Sequence, residues 1–424
     1  MIRDAVLHLL FFYLCSVGNE KVMKKIKILF LLLGISMLVA ACHDEEGPAV
    51  PKPREQVGRT VLVYIVGDNG VNELSALLKT NFSDMKKGME EVDYSKCNLI
   101  VYSEMVDDVP HLISLKKQNG KVVADTLFTY PEQNPLDKNV MSTVISQTVS
   151  YFPADSYGFV FLSHSSSWVP ADQDANSRSI GIYRRTQMNI TDFHDVLLSS
   201  FPKPLKFILF DSCYMQAVEV AYELRDCAEY FIGSPTEIPG PGAPYSVVVP
   251  EIFTETDLAK NIAAAYFNEY NSRYTGLGAG SNDNWTGGVS ISVIDAAALD
   301  NFAMVTKTII PKYIQERKEV NRNDIMLYDF SGPRANYDFD DLVQNLTGGK
   351  DNADYRAWRQ AFDEAVVYWR TTPKNYSAFK QMFSMEKAEG VSTYIPNGSY
   401  NSTMNNFYRT LQWYSAAGWN ETGW

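Results

Sequence analysis

Leu205-Lys206-Phe207-Ile208-Leu209-Phe210-Asp211-Ser212-Cys213-Tyr214-Met215 is an apolar run that turns polar around a single cysteine. Residues 205–210, aromatic or branched except for Lys206, read as a strand buried on both faces, the kind that parallel sheets contain. Met215 to Asp226 reads as a helix. Cys213 therefore falls where strand gives way to helix, at the positive end of the helix dipole, which favours a thiolate.

A second run of the same kind lies upstream. Tyr157 to Ser163 (YGFVFLS) reads as another buried strand, and it delivers His164. In open α/β sheets ligands bind where strands end and helices begin. A lone cysteine after a strand is ordinarily a small core residue, and a lone histidine at a strand end ordinarily forms a hydrogen bond and nothing more. Here both lie on strand ends, His first and Cys 49 residues later. That order and spacing agree with the roughly 50-residue separation of caspase-like peptidases, and they point to a nucleophile with an acid–base partner.

The pattern continues outward. Thr60 to Val66 and Cys97 to Ser103 read as strands, with a helix from Asn72 to Glu91 between them. His111 to Leu115 and Lys121 to Phe128 flank Asn119-Gly120, a hairpin signal. Asp137 is placed to cap a helix ending near Tyr151, Ile190 to Ser200 is helical, and Tyr230 to Gly233 is a short strand. Beyond Pro250, helices are expected over Leu258–Tyr274, Ala296–Glu316 and Ala353–Arg370, with a strand over Gly288–Val293. Apolar strands alternating with amphipathic helices predict an α/β fold, a mainly parallel sheet flanked by helices.

Longer motifs make a family resemblance specific. Asp211-Ser212-Cys213-Tyr214-Met215 with Val218 to Leu224 resembles the Asp-x-Cys-x-Met nucleophile block of the clostripain family. His164-Ser165-Ser166-Ser167-Trp168 resembles its His-Gly-x-x-Trp segment. Ser234 to Glu237 with Pro239 to Tyr245 is similar to its Ser-Gln-Glu…Pro-Gly…Pro-Tyr segment, and Tyr64 to Asn69 resembles its first strand and Asp-Asn turn. The resemblance implies a caspase–haemoglobinase-like fold over residues 59–250, with 251–424 as a C-terminal α/β extension. It also implies cysteine endopeptidase activity after Arg or Lys through a thioester. Cys213 and His164 would be catalytic, the backbone N–H groups of Ser165 and Cys213 would hold the oxyanion, and Asp211 and Ser234 would line the substrate pocket. Self-cleavage is expected between His and Cys, where Arg178, Arg184 and Arg185 lie. Two departures stand out: Ser165 replaces a glycine, and Pro235-Thr236 alters the Ser-Gln-Glu segment.

Residues 1–41 read as a leader, of which 1–22 look like an over-extended start. Lys24, Lys25 and Lys27 precede an apolar stretch ending in Leu38-Val39-Ala40-Ala41-Cys42, which resembles a lipobox. Cys42 would carry the lipid, residues 42–58 would be a tether, and the body would be held at the outer membrane, exposed at the surface. Of 38 Lys+Arg and 50 Asp+Glu, the leader holds five and two, leaving 33 against 48. So acidic a body repels phosphate backbones, which argues against nucleic acid, and leaves the lipid as its link to the membrane. The expected partner is a peptide or protein substrate, and nothing in the sequence sets an oligomeric state.

No cofactor is required. Asp172-x-Asp174-x-Asn176 opens like a calcium loop, but Ser177 replaces the needed glycine and Tyr183 the bidentate glutamate. It reads as a surface loop, with calcium as the alternative. No cysteine has a histidine at metal-ligand spacing. His111 and His194 read as surface residues, Cys97 and Cys227 as buried thiols. The rival function is a caspase-like scaffold that binds peptide or glycan without cleaving it. Its support is Ser165 and the aromatic tail, Trp413, Tyr414, Trp419 and Trp424, although those aromatics are expected to pack the final helix and strand onto the body.

Overall fold

The structure, a computed structural model, describes residues 53–69, 73–106, 108–171, 179–315, 317–330, 332 and 334–424. The leader, Cys42, Arg178 and the calcium-like triplet 172–176 lie outside these residues. Residues from Pro53 to Trp424 form one compact unit.

Its centre is a nine-stranded sheet. In chain order the strands are β1 (Val57–Val66), β2 (Cys97–Glu104), β3 (His111–Gln118), β4 (Lys121–Thr129), β5 (Ala154–Leu162), β6 (Phe207–Asp211), β7 (Tyr230–Gly233), β8 (Ser290–Asp295) and β9 (Val366–Thr371). In space they run β9-β8-β7-β6-β5-β1-β2-β3-β4. The five strands from β7 to β2 are parallel to one another. The pairs beyond them at both edges are antiparallel.

The alternation of side chains along β1 explains the layering. Leu62, Tyr64 and Val66 enter one core with α2 (Lys138–Tyr151), α3 (Ile190–Ser200), α4 (Val218–Glu223), α7 (Leu299–Tyr313) and α8 (Ala353–Ala365). Val61, Val63 and Ile65 enter the other, with α1 (Glu73–Glu90), α5 (Tyr245–Glu251) and α6 (Leu258–Asn271). Both faces of the sheet are covered, which is why its central strands are apolar throughout. Asp137 caps α2, accepting from Asn139 N and Val140 N. Gly158 pairs with Phe207 across β5 and β6, and a Cβ at 158 would come within 2.4 Å of the Phe207 ring.

Two expectations need correction. The helix expected over 353–370 ends at Ala365, and Val366–Thr371 turns into the edge strand β9. The helix after the cysteine spans only Val218–Glu223. Trp413, Trp419 and Trp424 are buried in the core, which agrees with the expectation that these aromatics pack the end of the chain onto the body.

Candidate active site

Register brings the two reactive residues together. Leu162 at the end of β5 pairs with Asp211 at the end of β6. Two residues past each strand end come His164 and Cys213, which line the same cleft. The turns that carry them are cross-linked: Ser212 Oγ donates to Ser163 O (2.8 Å) and accepts from Ser163 N (3.3 Å). His164 and Cys213 line one cleft of about 320 Å³ together with Asn81, Ser165, Asp211, Tyr214, Glu237, Gly242 and Phe379.

Cys213 is not at a helix N-terminus, since α4 begins five residues later. The intervening turn is held instead by specific bonds. Tyr214 has φ 63, rare for a bulky residue. Its N–H donates to Thr236 O (2.9 Å) and its hydroxyl to Glu237 Oε1 (2.9 Å). Gln216 Nε2 donates to Phe231 O (3.2 Å) and Ser292 O (2.8 Å), which ties the turn to β7 and β8.

Asp211 is fully buried under the cleft. Tyr245 OH donates to its Oδ2 (2.8 Å), the Ala243 N–H also faces the carboxylate, and Oδ1 has no hydrogen-bond partner among the described residues. Burial raises its pKa from the usual carboxylate range to about 6. Gly242, at φ +79, lets the backbone close over this carboxylate; a Cβ there would lie 2.9 Å from Oδ2. A carboxylate beneath the floor of a cleft favours a cationic side chain above it.

Ser165 is accommodated without strain. The positive φ in its segment falls at Ser167 (φ 67). Ser165 bridges to Ile180, but the bond of that bridge is donated by Ser166 N to Ser179 O (3.3 Å). The Ser165 hydroxyl turns inward, 3.2 Å from Ser179 O and 2.8 Å from Met215 Sδ. Ser234, by contrast, lies behind the cleft wall. Its hydroxyl is buried against Ser290 Oγ (2.8 Å) and Thr236 Oγ1 (3.1 Å), and Glu237, three residues on, reaches the cleft in its place. Arg184 and Arg185 form the turn of the hairpin 180–188. Arg184 pairs with Asp68 (2.8 Å) and Glu132 (2.5 Å).

Three contributors were given no role of their own by the sequence. Asn69 Nδ2 lies 3.1 Å from His164 Nε2. Glu237 clamps the tip of the hairpin 374–384 by accepting from Ala378 N (3.0 Å) and Ser377 Oγ. That hairpin carries Ala378 and Phe379 into the cleft wall.

A thiol and an imidazole on adjacent strand ends of a parallel sheet, over a buried acid, define a cysteine peptidase of caspase-like architecture. The chain belongs to the clostripain family, whose pattern matches residues 63–424. Among solved structures it is similar to a secreted cysteine protease from Bacteroides thetaiotaomicron in complex with an irreversible peptide inhibitor. That protein is 41% identical, over 86% of this chain and 99% of that one, with a TM-score of 0.78. It is also similar to an inactive zymogen protease from Parabacteroides distasonis, 30% identical over 86% and 99%, TM-score 0.73. A B. fragilis cysteine protease is 45% identical over 56% of this chain and 96% of that one, TM-score 0.53. No curated protein matches.

Proposed function

We propose that this cysteine peptidase is an endopeptidase that cleaves after Arg or Lys, with Cys213 as nucleophile and His164 as acid–base partner. The observation that carries the specificity is Asp211, fully buried in the cleft with Oδ1 unpartnered. A substrate guanidinium or ammonium entering the cleft above it would be drawn to this carboxylate and offset the cost of burying the charge. Cys213 Sγ attacks the scissile carbonyl carbon, and the N–H groups of Ser165 and Cys213 hold the resulting oxyanion. His164 protonates the departing amine, and water then hydrolyses the thioester. The scheme uses no metal and no cofactor.

Self-cleavage within 171–187 belongs to the same proposal, supported by the zymogen among the similar structures. A cut after Arg184 would first have to break its pairs with Asp68 and Glu132. Export with a lipid on Cys42 also belongs here. One similar protein is described as secreted, and among the described residues no helix is long and apolar enough to cross a membrane.

The test is cleavage of fluorogenic peptides ending in Arg, Lys, Asp or Leu. Release after Arg and Lys alone, abolished in Cys213→Ala and lost for basic substrates in Asp211→Asn, is the expected result. Equal release after Leu, or full activity in Cys213→Ala, would overturn it.

A further inference from the structure

At the opposite end of the sheet, the fold assembles donor atoms that sequence spacing keeps apart. His194 lies on α3, while Asp226 and Cys227 lie in the connection between α4 and β7. His194 Nε2 is 2.9 Å from Asp226 Oδ1, and Cys227 Sγ is 3.8 Å from the same oxygen. One ligand atom from each residue lies within 4.8 Å of the other two. The second ring nitrogen, His194 Nδ1, is 3.3 Å from Asp195 Oδ1. This cluster belongs to the far side of the molecule: the Leu205–Ala228 bridge next to it marks where β6 and β7 begin, whereas Cys213 follows the end of β6.

We propose that His194 Nε2, an Asp226 carboxylate oxygen and the Cys227 thiolate bind a thiophilic divalent cation, zinc fitting best, with solvent in the fourth position.

Tetrahedral zinc, with bonds of about 2.0–2.3 Å, sets its ligand atoms roughly 3.3–3.7 Å apart. The observed 2.9 and 3.8 Å separations need shifts of a few tenths of an ångström to reach this, and the third separation, His194 Nε2 to Cys227 Sγ, lies within 4.8 Å. Asp226 has an exposed side chain and is free to make them. Asp195 on Nδ1 supplies the orienting carboxylate that metal-bound histidines ordinarily have, and it directs Nε2 toward the site.

Charge points the same way. Cys227 Sγ lies against the Asp226 carboxylate, and a second acid, Asp195, stands on the other side of the His194 ring. Nearby cations are already engaged: Lys138 with Asp192 and Asp195, and Arg225 with Asp300. A divalent cation would displace the thiol proton to solvent and form the metal–sulfur bond, neutralising the thiolate and the Asp226 carboxylate together. One imidazole and one thiolate among three ligands select zinc or cobalt over calcium, which requires a shell of oxygens. Bound there, the ion would tie α3 to the start of β7 and act on stability rather than on the cleft.

The experiment titrates the full chain with cobalt(II), reading the thiolate-to-cobalt charge-transfer band, and then with zinc, reading the melting temperature. A band that saturates at one equivalent, persists in Cys213→Ala and disappears in Cys227→Ser supports the site. Affinity should fall about tenfold or more in Asp195→Asn, and zinc should displace the cobalt and raise the melting temperature. No band in the parent chain, a band undiminished in Cys227→Ser, or one lost with Cys213→Ala overturns it. Asp226 is exposed, so Asp226→Ala should fold normally, and unchanged cobalt affinity in that variant also overturns the site.

Discussion

Asn69 Nδ2 stands 3.1 Å from His164 Nε2, so the candidate cleft is built on three consecutive parallel strand ends rather than two. The amide suits either charge state of the ring. It donates to Nε2 of the neutral imidazole and, turned over, accepts from the Nε2–H of the imidazolium. The loop that bears it is itself fixed. Gly67 N and Asp68 N donate to Glu104 Oε2 (3.1 and 3.0 Å), and Arg184 N donates to Asp68 O (2.7 Å). Removing the amide leaves the imidazole without that partner while the cleft keeps its shape. Asn69→Ala is therefore expected to lower kcat on an Arg peptide by roughly tenfold or more, with KM changed less than about twofold. Steady-state kinetics check this, and a rise in KM at constant kcat would place Asn69 in substrate binding instead.

Glu237 couples the far hairpin to the turn that carries Cys213. Its carboxylate takes the Tyr214 hydroxyl on one side, and Ala378 N and Ser377 Oγ on the other. In Glu237→Ala the hairpin tip loses charge-assisted bonds and Phe379 leaves the cleft wall. KM for a tetrapeptide substrate should rise about five- to tenfold, with a smaller change for a single-residue Arg substrate. Equal effects on both substrates would show that the damage lies at Cys213.

Ser165 tests whether the departure from the family's glycine weakens the enzyme. Its backbone is outside the positive-φ region and its side chain points away from the cleft. Ser165→Gly should leave kcat/KM within about twofold, since glycine adds freedom where none is used. A gain of tenfold would mean that the serine obstructs the oxyanion site.

The sequence revealed those parts of the fold whose burial is symmetric. Strands covered on both faces, such as 60–66 and 157–163, carry unbroken apolar runs that few other structures permit. His164 and Cys213 were legible because strand ends are marked by an abrupt change to polar residues. Val366–Thr371 was misread because six residues satisfy both periods: Val366 and Trp369 extend the helical spacing of α8, while the same β-branched and aromatic residues suit an edge strand. The residues between Cys213 and α4 were read as helix because their turn is dictated by partners elsewhere, at Thr236, Phe231 and Ser292. Glu237 and Phe379 are inseparable from a hairpin some 140 residues downstream, and no local pattern encodes that meeting.

Buried acids give the protein a definite pH response. Burial is the main cause that raises Asp211 to about 6 and Glu104, Glu219 and Asp338 to about 7. Between the ordinary carboxylate range and pH 7, the folded chain binds more protons at these sites than the unfolded chain does. Their contribution to stability is therefore complete at low pH and is lost as pH rises through about 6 to 7. Over this window the melting temperature should be higher near pH 6 than at pH 8, on the order of a few degrees. Catalysis should move the opposite way. On the proposed specificity Asp211 has to be ionised to hold a basic side chain, so kcat/KM for Arg substrates should fall below about pH 6 even as the fold gains stability. Paired melting and kinetic measurements across pH 5 to 8 check both trends. A melting temperature that climbs toward pH 8 would mean that these carboxyls are ionised in the folded chain and held by partners other than the ones described.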